Sequence, residues 1–251
     1  MSVIAESAVI GAGFVHGNNL VVGPDARLGD NVVLGNNVTI HAGSLIGDGV
    51  RIDDNTVIGK NPMRAATSAN PEAGQLEPAS IGDHCILGTN VVIYRGCKID
   101  HSCLVADLAT VREQVTVGAK TIIGRNVAIE NNCTIGWRCK LETNSYITAW
   151  SQLGNHVFIA PGVITTNDNF AGRSQQRFKH FKGVVVEDGG RIGANATVLP
   201  GKTIGSQALV AAGALVTADV PAKKIVAGSP ARVFRDVPAD QLLSEEAMAE
   251  E

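Results

Sequence analysis

Every sixth residue from Val22 is aliphatic: Val22, Leu28, Leu34, Ile40, Ile46, Ile52 and Ile58. A second run, in a shifted phase, goes from Ile81 to Ile159, and a third from Val186 to Val216, with an aliphatic residue at every step. An α-helix cannot use a strict period of six, because successive members would rotate by roughly 240° and smear around its axis. Short strands joined by tight corners can use it. The aliphatic residue points inward, while Gly, Asn and Asp take the corners. Three hexads per turn then stack successive turns at about 4.8 Å, the ordinary strand spacing. The fold class this predicts is all-β, a parallel β-helix of hexapeptide coils with a short helical or disordered tail.

A second inward slot lies four residues after each aliphatic and must be small. In the middle run it holds Cys85, Val91, Cys97, Cys103, Ala109 and so on to Val163, and all five cysteines of the chain fall in it. One reading is a metal site or disulfides; the other is small apolar filler in a reduced protein. Cys85 and Cys103 would stack on adjacent coils with parallel side chains, which a disulfide does not favour. The filler reading is the expectation. Lys202, in LPGKTIG, is the misfit in this slot, and composition supplies no account of it.

The net charge of −3 gives no electrostatic case for nucleic acid. MSVIAESAVIGAGF lacks a basic start and a continuous apolar stretch, so no signal peptide is expected. No apolar run approaches the roughly 20 residues that span a bilayer. A cytoplasmic protein with no membrane role is the expectation. The six histidines lack the close pair that a zinc-dependent β-helical carbonic anhydrase needs, so no metal is expected.

Two stretches break the hexads. KNPMRAATSANPEAGQLEPAS (residues 60–80) is rich in Pro and Ala and reads either as a plain surface loop or as a substrate-binding one. The other is ITTNDNFAGRSQQRFKHFKG, giving an excursion over residues 166–185. Excursions that the repeat does not need are where function tends to sit. Arg173, Arg177, Lys179, His180 and Lys182 fall here beside Phe170, Phe178 and Phe181. They suit either a flap gripping phosphates or a solvated basic loop with interfacial aromatics. Subtracting eighteen from Asp168 gives Trp150, and eighteen more gives Asn132. These three are expected to line one corner, where Trp150 either stacks on a sugar or base or fills a subunit interface. His156, in GNHVFIAPG, is either a further candidate base or a structural corner residue.

The aliphatic-Gly-x-x-small-x hexads strongly resemble those of the hexapeptide-repeat acyltransferases, over about residues 4 to 235. That resemblance implies a left-handed β-helix over residues 1–236, an acidic tail over 237–251 and a homotrimer with active sites between subunits. IGANATVLPGKTIGSQALVAAGALVTADVPAKKIVAGSPARVFR (residues 192–235) looks like the last coils of acetyl-CoA-dependent members. By that match Ala194 and Ala212 would contact pantetheine, with Gly193 and Gly213 leaving room. Lys223, Lys224 and Arg232 would meet the phosphates of CoA, whose negative charge calls for cations.

Sugar O-acetyltransferases of this family carry a His at the place of Asp168, where it acts as general base. A hydroxyl acceptor needs such a base, whereas an amine, partly neutral near pH 7, needs orientation and a proton sink. Asn167 and Asp168 suit that lesser task. The segment is similar to those of nucleotide-linked aminosugar N-acetyltransferases, and acetyl transfer from acetyl-CoA to such an amine is the function it implies. O-acetyl or amino-acid acetyl transfer, or a non-catalytic β-helical subunit, are the alternatives. A lipid A-type N-acyltransferase would carry a separate N-terminal domain and a catalytic His, and neither is evident.

Overall fold

The computed structural model describes residues 1–68 and 74–249. The chain forms two compact units, Met1–Asn126 and Val127–Glu251. In each unit every coil lays one short strand on each of three parallel sheets. In the first unit the strands pair at a spacing of eighteen residues, as in Val3↔Val21, Val9↔Arg27 and Val15↔Val33. The second unit keeps the same spacing in Ala128↔Tyr146, Thr134↔Gln152 and Lys140↔Phe158. The architecture is therefore the parallel β-helix that the six-residue period demands.

Both inward slots are filled as the sequence requires. The aliphatic series is buried throughout, with Ile40, Ile58, Ile93, Ile129 and Ile192 all 0% exposed. The five cysteines are free and buried. Each thiol donates to a carbonyl fifteen residues further on, in the next coil. Cys85 reaches Asp100 O at 3.0 Å, Cys97 reaches Arg112 O at 2.8 Å and Cys103 reaches Gly118 O at 3.2 Å. Cys133 and Cys139 repeat the pattern towards Thr148 O and Gly154 O. The thiol satisfies a corner carbonyl that a purely apolar side chain would leave bare. Burial pushes Cys97 and Cys133 up to about 12, so they stay thiols.

The Gly that follows so many inward aliphatics also has a local cause. At Gly154 an added Cβ would strike Oδ1 of Asp188 and its backbone N. That same oxygen accepts the N–H of Asn155 at 2.7 Å. The corner acid of one coil thus ties down the coil before it, and only Gly leaves it space. Corner residues such as Asn19, Asn37, Asn55, Asn132 and Asn195 take φ near +57°, a conformation that Asn tolerates better than most residues.

The first excursion lies between the strands Val57–Lys60 and Ser80–Ile81. Residues 69–73 within it lie outside the described residues. The second excursion separates Ile164–Thr165 from Val185–Val186 and carries one short helix, α1, Arg177–His180. The expected tail contains a 3-10 turn, Ala239–Gln241, and a helix, α2, Glu245–Ala249. The last strand, Ala231–Asp236, folds back antiparallel on Lys224–Gly228. Among the described residues no helix is long and apolar enough to cross a membrane.

Candidate functional site

The second excursion changes the register. Tyr146 pairs with Ile164, a spacing of eighteen, but Gln152 pairs with Val185, a spacing of thirty-three. The fifteen extra residues leave the corner just where Asp168 was expected to stack. Gly183, not Asp168, therefore follows Trp150 on that corner, and an added Cβ there would strike the Trp150 carbonyl and Ser151 N. The expected ladder of Asn132, Trp150 and Asp168 is corrected to Asn132, Trp150 and Gly183. Asp168 belongs to the flap.

Within the flap Asp168 has a defined job. Its Oδ1 accepts the N–H of Phe170 at 2.8 Å and its Oδ2 accepts that of Gly172 at 2.9 Å. Arg177 Nε stands 3.1 Å from Oδ2 as an ion pair. Burial alone would raise the Asp168 pKa, but the two amides and the guanidinium outweigh it, and the carboxyl lies below its ordinary value. Arg177 also lies over the rings of Phe178 and Phe181, at 5.4 and 5.2 Å. Phe181 stacks on Trp150 at 5.7 Å and 17°. Arg177 is thus committed to holding the flap together, and Trp150 to seating it. Asn167 sits at the flap's base, where its carbonyl accepts the Lys182 N–H at 3.3 Å.

Beneath the flap is a pocket of about 340 Å³, walled by Phe170 and Pro200, with Asn169, His180, Lys182 and Lys202 at its polar edge. Of the cations expected here, His180 and Lys182 line this pocket, whereas Arg173 and Lys179 are exposed and Arg177 is engaged in the flap. Lys202 and Pro200 were not among the expected site residues. The signal for Lys202 was its place in a slot otherwise kept small.

The other expected residues fall elsewhere in the second unit. Ala194 and Ala212 follow one another on a single corner, where Gly213 N–H donates to Ala194 O at 2.8 Å. An added Cβ on Gly193 would meet Ala212 N at 2.5 Å, whereas around Gly213 nothing lies within 4 Å. Ala212 and Gly213 are exposed, so the corner is a shallow, open track of small residues. Lys223 is exposed, Arg232 is exposed with Nη1 donating to Ala231 O at 2.8 Å, and Lys224 is paired with Asp236. His156 lies against Trp137, with ring centroids 4.4 Å apart, and its Nε2 is buried with no hydrogen-bond partner. Burial first, and the Arg138 guanidinium second, lower its pKa against the pull of Asp188. The Ala247 backbone in α2 pulls the other way and raises it, which places the C-terminal segment beside this histidine.

Among the described residues no group of three or more His, Cys, Asp or Glu side chains is placed to hold a metal ion. The fold and these surfaces define a parallel β-helix protein with a basic flap and an exposed small-residue corner. Two repeat models match the chain. "Bacterial transferase hexapeptide (six repeats)" covers residues 7–42, and "Hexapeptide repeat of succinyl-transferase" covers residues 76–106, 113–149 and 183–218. Together they take in more than half of the sequence, and the chain belongs to the hexapeptide-repeat transferase family.

A 2,3,4,5-tetrahydropyridine-2,6-dicarboxylate N-acetyltransferase of Staphylococcus aureus is 48% identical over 66 residues. That match takes in 26% of this chain and spans 28% of the relative's length. A hexapeptide-repeat acetyltransferase of Vibrio cholerae, solved with acetyl coenzyme A, is 28% identical, covering 49% of this chain and 70% of that one, with a TM-score of 0.44. A perosamine N-acetyltransferase variant of Caulobacter crescentus, solved with CoA and GDP-perosamine, is 21% identical, covering 58% and 57%, with a TM-score of 0.27.

Proposed function

We propose that this chain is an acetyl-CoA-dependent N-acetyltransferase whose acceptor is the amine of a nucleotide-linked aminosugar, used in making surface polysaccharide or glycan precursors. It works as a cytoplasmic homotrimer with sites between subunits. The observation that carries the reading is the corner of half-buried Ala194 and exposed Ala212 and Gly213, open enough for an extended pantetheine chain to lie against main chain. Lys223 and Arg232 are exposed and suit the phosphates of CoA, whereas Lys224 is neutralised by Asp236. The N-acetyltransferase named among the relatives supports the reaction class.

In this reading the amine lone pair attacks the thioester carbonyl carbon, the C–N bond forms, and the C–S bond breaks to release CoA. The proton lost by nitrogen is balanced by the one gained by the departing thiolate. Asn167 orients the amine through its side-chain carbonyl. Asp168 acts as a positioning residue that shapes the flap, since its oxygens already serve Phe170, Gly172 and Arg177. His156 serves structure beneath the C-terminal segment. The 48% identity to a dicarboxylate N-acetyltransferase favours a second reading, an acyclic or cyclic amino dicarboxylate as acceptor.

The test is CoA-thiol release from acetyl-CoA against UDP- and dTDP-aminosugars, a hydroxyl-only sugar nucleotide and an amino dicarboxylate. Release with an aminosugar nucleotide, abolished by Ala212→Trp, is the expected result. Release with only the hydroxyl control moves the reading to O-transfer, and release with only the dicarboxylate moves it to the second reading.

A further inference from the structure

Lys202 stands four residues beyond Val198, in the inward slot that Ala196, Ala208 and Ala214 fill in neighbouring hexads, each at most 1% exposed. An ammonium in that slot is costly to bury without a partner. The structure leaves Lys202 only half-buried, at the edge of the pocket beneath the flap. Lys182 reaches the same pocket from the returning end of the flap. Its stem packs over Gly201, where an added Cβ would lie 3.3 Å from Lys182 Cβ. His180 completes the cationic edge.

No carboxylate lines this pocket, and neither lysine has an ion-pair partner among the described residues. The nearby flap acid, Asp168, is committed to Arg177. Two unpaired ammonium groups around one opening raise its positive potential and favour an anion there. The volume, about 340 Å³, exceeds what a single phosphate needs and lies in the range of small-molecule sites. Phe170 and Pro200 add an apolar wall suited to the sugar or base beside the charge.

We infer that this pocket is the seat of the acceptor's diphosphate, with Lys202 and Lys182 as its principal contacts. The inference rests on the reading of the acceptor as a nucleotide-linked sugar. It also accounts for a lysine in a slot meant for alanine: the position gives up core packing for a charge on the acceptor side.

Calorimetric titration of UDP, inorganic pyrophosphate and CoA into the wild type, Lys202→Val and Lys182→Ala tests it. Valine is the kind of residue the slot ordinarily takes, so Lys202→Val is expected to melt no lower than wild type. UDP and pyrophosphate affinity should fall about tenfold or more in each variant, as for loss of one charge-assisted contact, while CoA affinity stays within about twofold. No UDP or pyrophosphate binding by wild type overturns the inference, as does binding unchanged in both variants. A fall in CoA affinity by the same factor reassigns the seat to the phosphates of CoA and also overturns it. The thiol-release assay separates the two claims. UDP binding that needs Lys202, without acetyl transfer to any aminosugar nucleotide, leaves the seat standing and removes the functional reading. Transfer with a KM unchanged by Lys202→Val does the reverse.

Discussion

The Trp150 indole and the Phe181 ring lie 5.7 Å apart and within 17° of parallel, which fastens the flap to the coil it springs from. Trp150 holds a corner with φ of 63°, an unusual conformation for a bulky residue, and its backbone N–H donates to Asn131 O at 3.1 Å. The corner therefore presents the indole outward, and the returning flap lays Phe181 on it. Phe178 meets Phe181 edge-on at 5.8 Å, and Arg177 caps both rings.

Removing either partner of this stack should loosen the flap without unfolding the coils. Phe181→Ala and Trp150→Ala are each expected to speed tryptic cleavage at Arg173, Arg177 and Lys179. A double-mutant cycle on the cleavage-protection free energy should give a coupling of about 0.5–1.5 kcal/mol. Additive effects would mean that the rings do not support each other.

Asp168→Asn separates positioning from proton transfer. The carboxyl lies below its ordinary pKa, so its contribution is fully present above the unfolded value and is lost only as pH falls through the lower folded one. Between pH 6 and 9 the wild type and the variant should therefore have parallel kcat profiles. The variant's defect is expected in KM for the acceptor, because Arg177 loses its charge partner and the flap loosens. A kcat loss of about 10²–10⁴-fold that recovers with rising pH would instead make Asp168 the proton acceptor.

The buried thiols make a third expectation. Cys97 and Cys133 are pushed up to about 12 by burial, and all five cysteines are enclosed. Native protein at pH 8 should resist a thiol-disulfide reagent over minutes, and denatured protein should titrate all five. Rapid labelling of one cysteine in the native state would place that coil in an open form.

How far these features could be read from the sequence depended on their range. The inward positions follow from a period of six that only a coil of short strands can use, so the sequence alone places Ile40, Ile93 and Ile192. The corner at Trp150 was half legible. Adding eighteen to a residue number finds its neighbour only while no excursion intervenes, and fifteen inserted residues put Gly183 where Asp168 was expected. Lys202 announced itself as a violation of the slot, but its purpose needed Lys182 and His180, which the flap brings to it. The cover over His156 left no trace, because no repeat relates the C-terminal segment to the coil beneath it.

That cover yields the last prediction. Gln207, 8% exposed, grips the segment from below: its Oε1 accepts the Leu243 N–H at 2.7 Å and its Nε2 donates to Leu243 O at 3.4 Å. Arg191 Nη1 reaches Gln241 Oε1 at 3.4 Å, and α2 lies against His156, whose Nε2 is buried and unpartnered. A histidine with a lowered folded pKa is neutral in the docked state. Above the unpacked pKa of about 6.5 neither state is charged and docking carries no penalty. Burial, the largest cause of the lowering, outweighs the opposite pull of the Ala247 backbone, so as pH falls below that value the released state takes up the proton more readily and docking weakens until the lower folded pKa is passed. Hydrogen exchange of the amides in residues 239–249 should therefore quicken, relative to its intrinsic rate, as pH falls below about 6.5. His156→Gln should remove that pH dependence, and Gln207→Ala should raise exchange at every pH while leaving the dependence in place. A segment equally protected across this range in the wild type would show that His156 does not sense the docking.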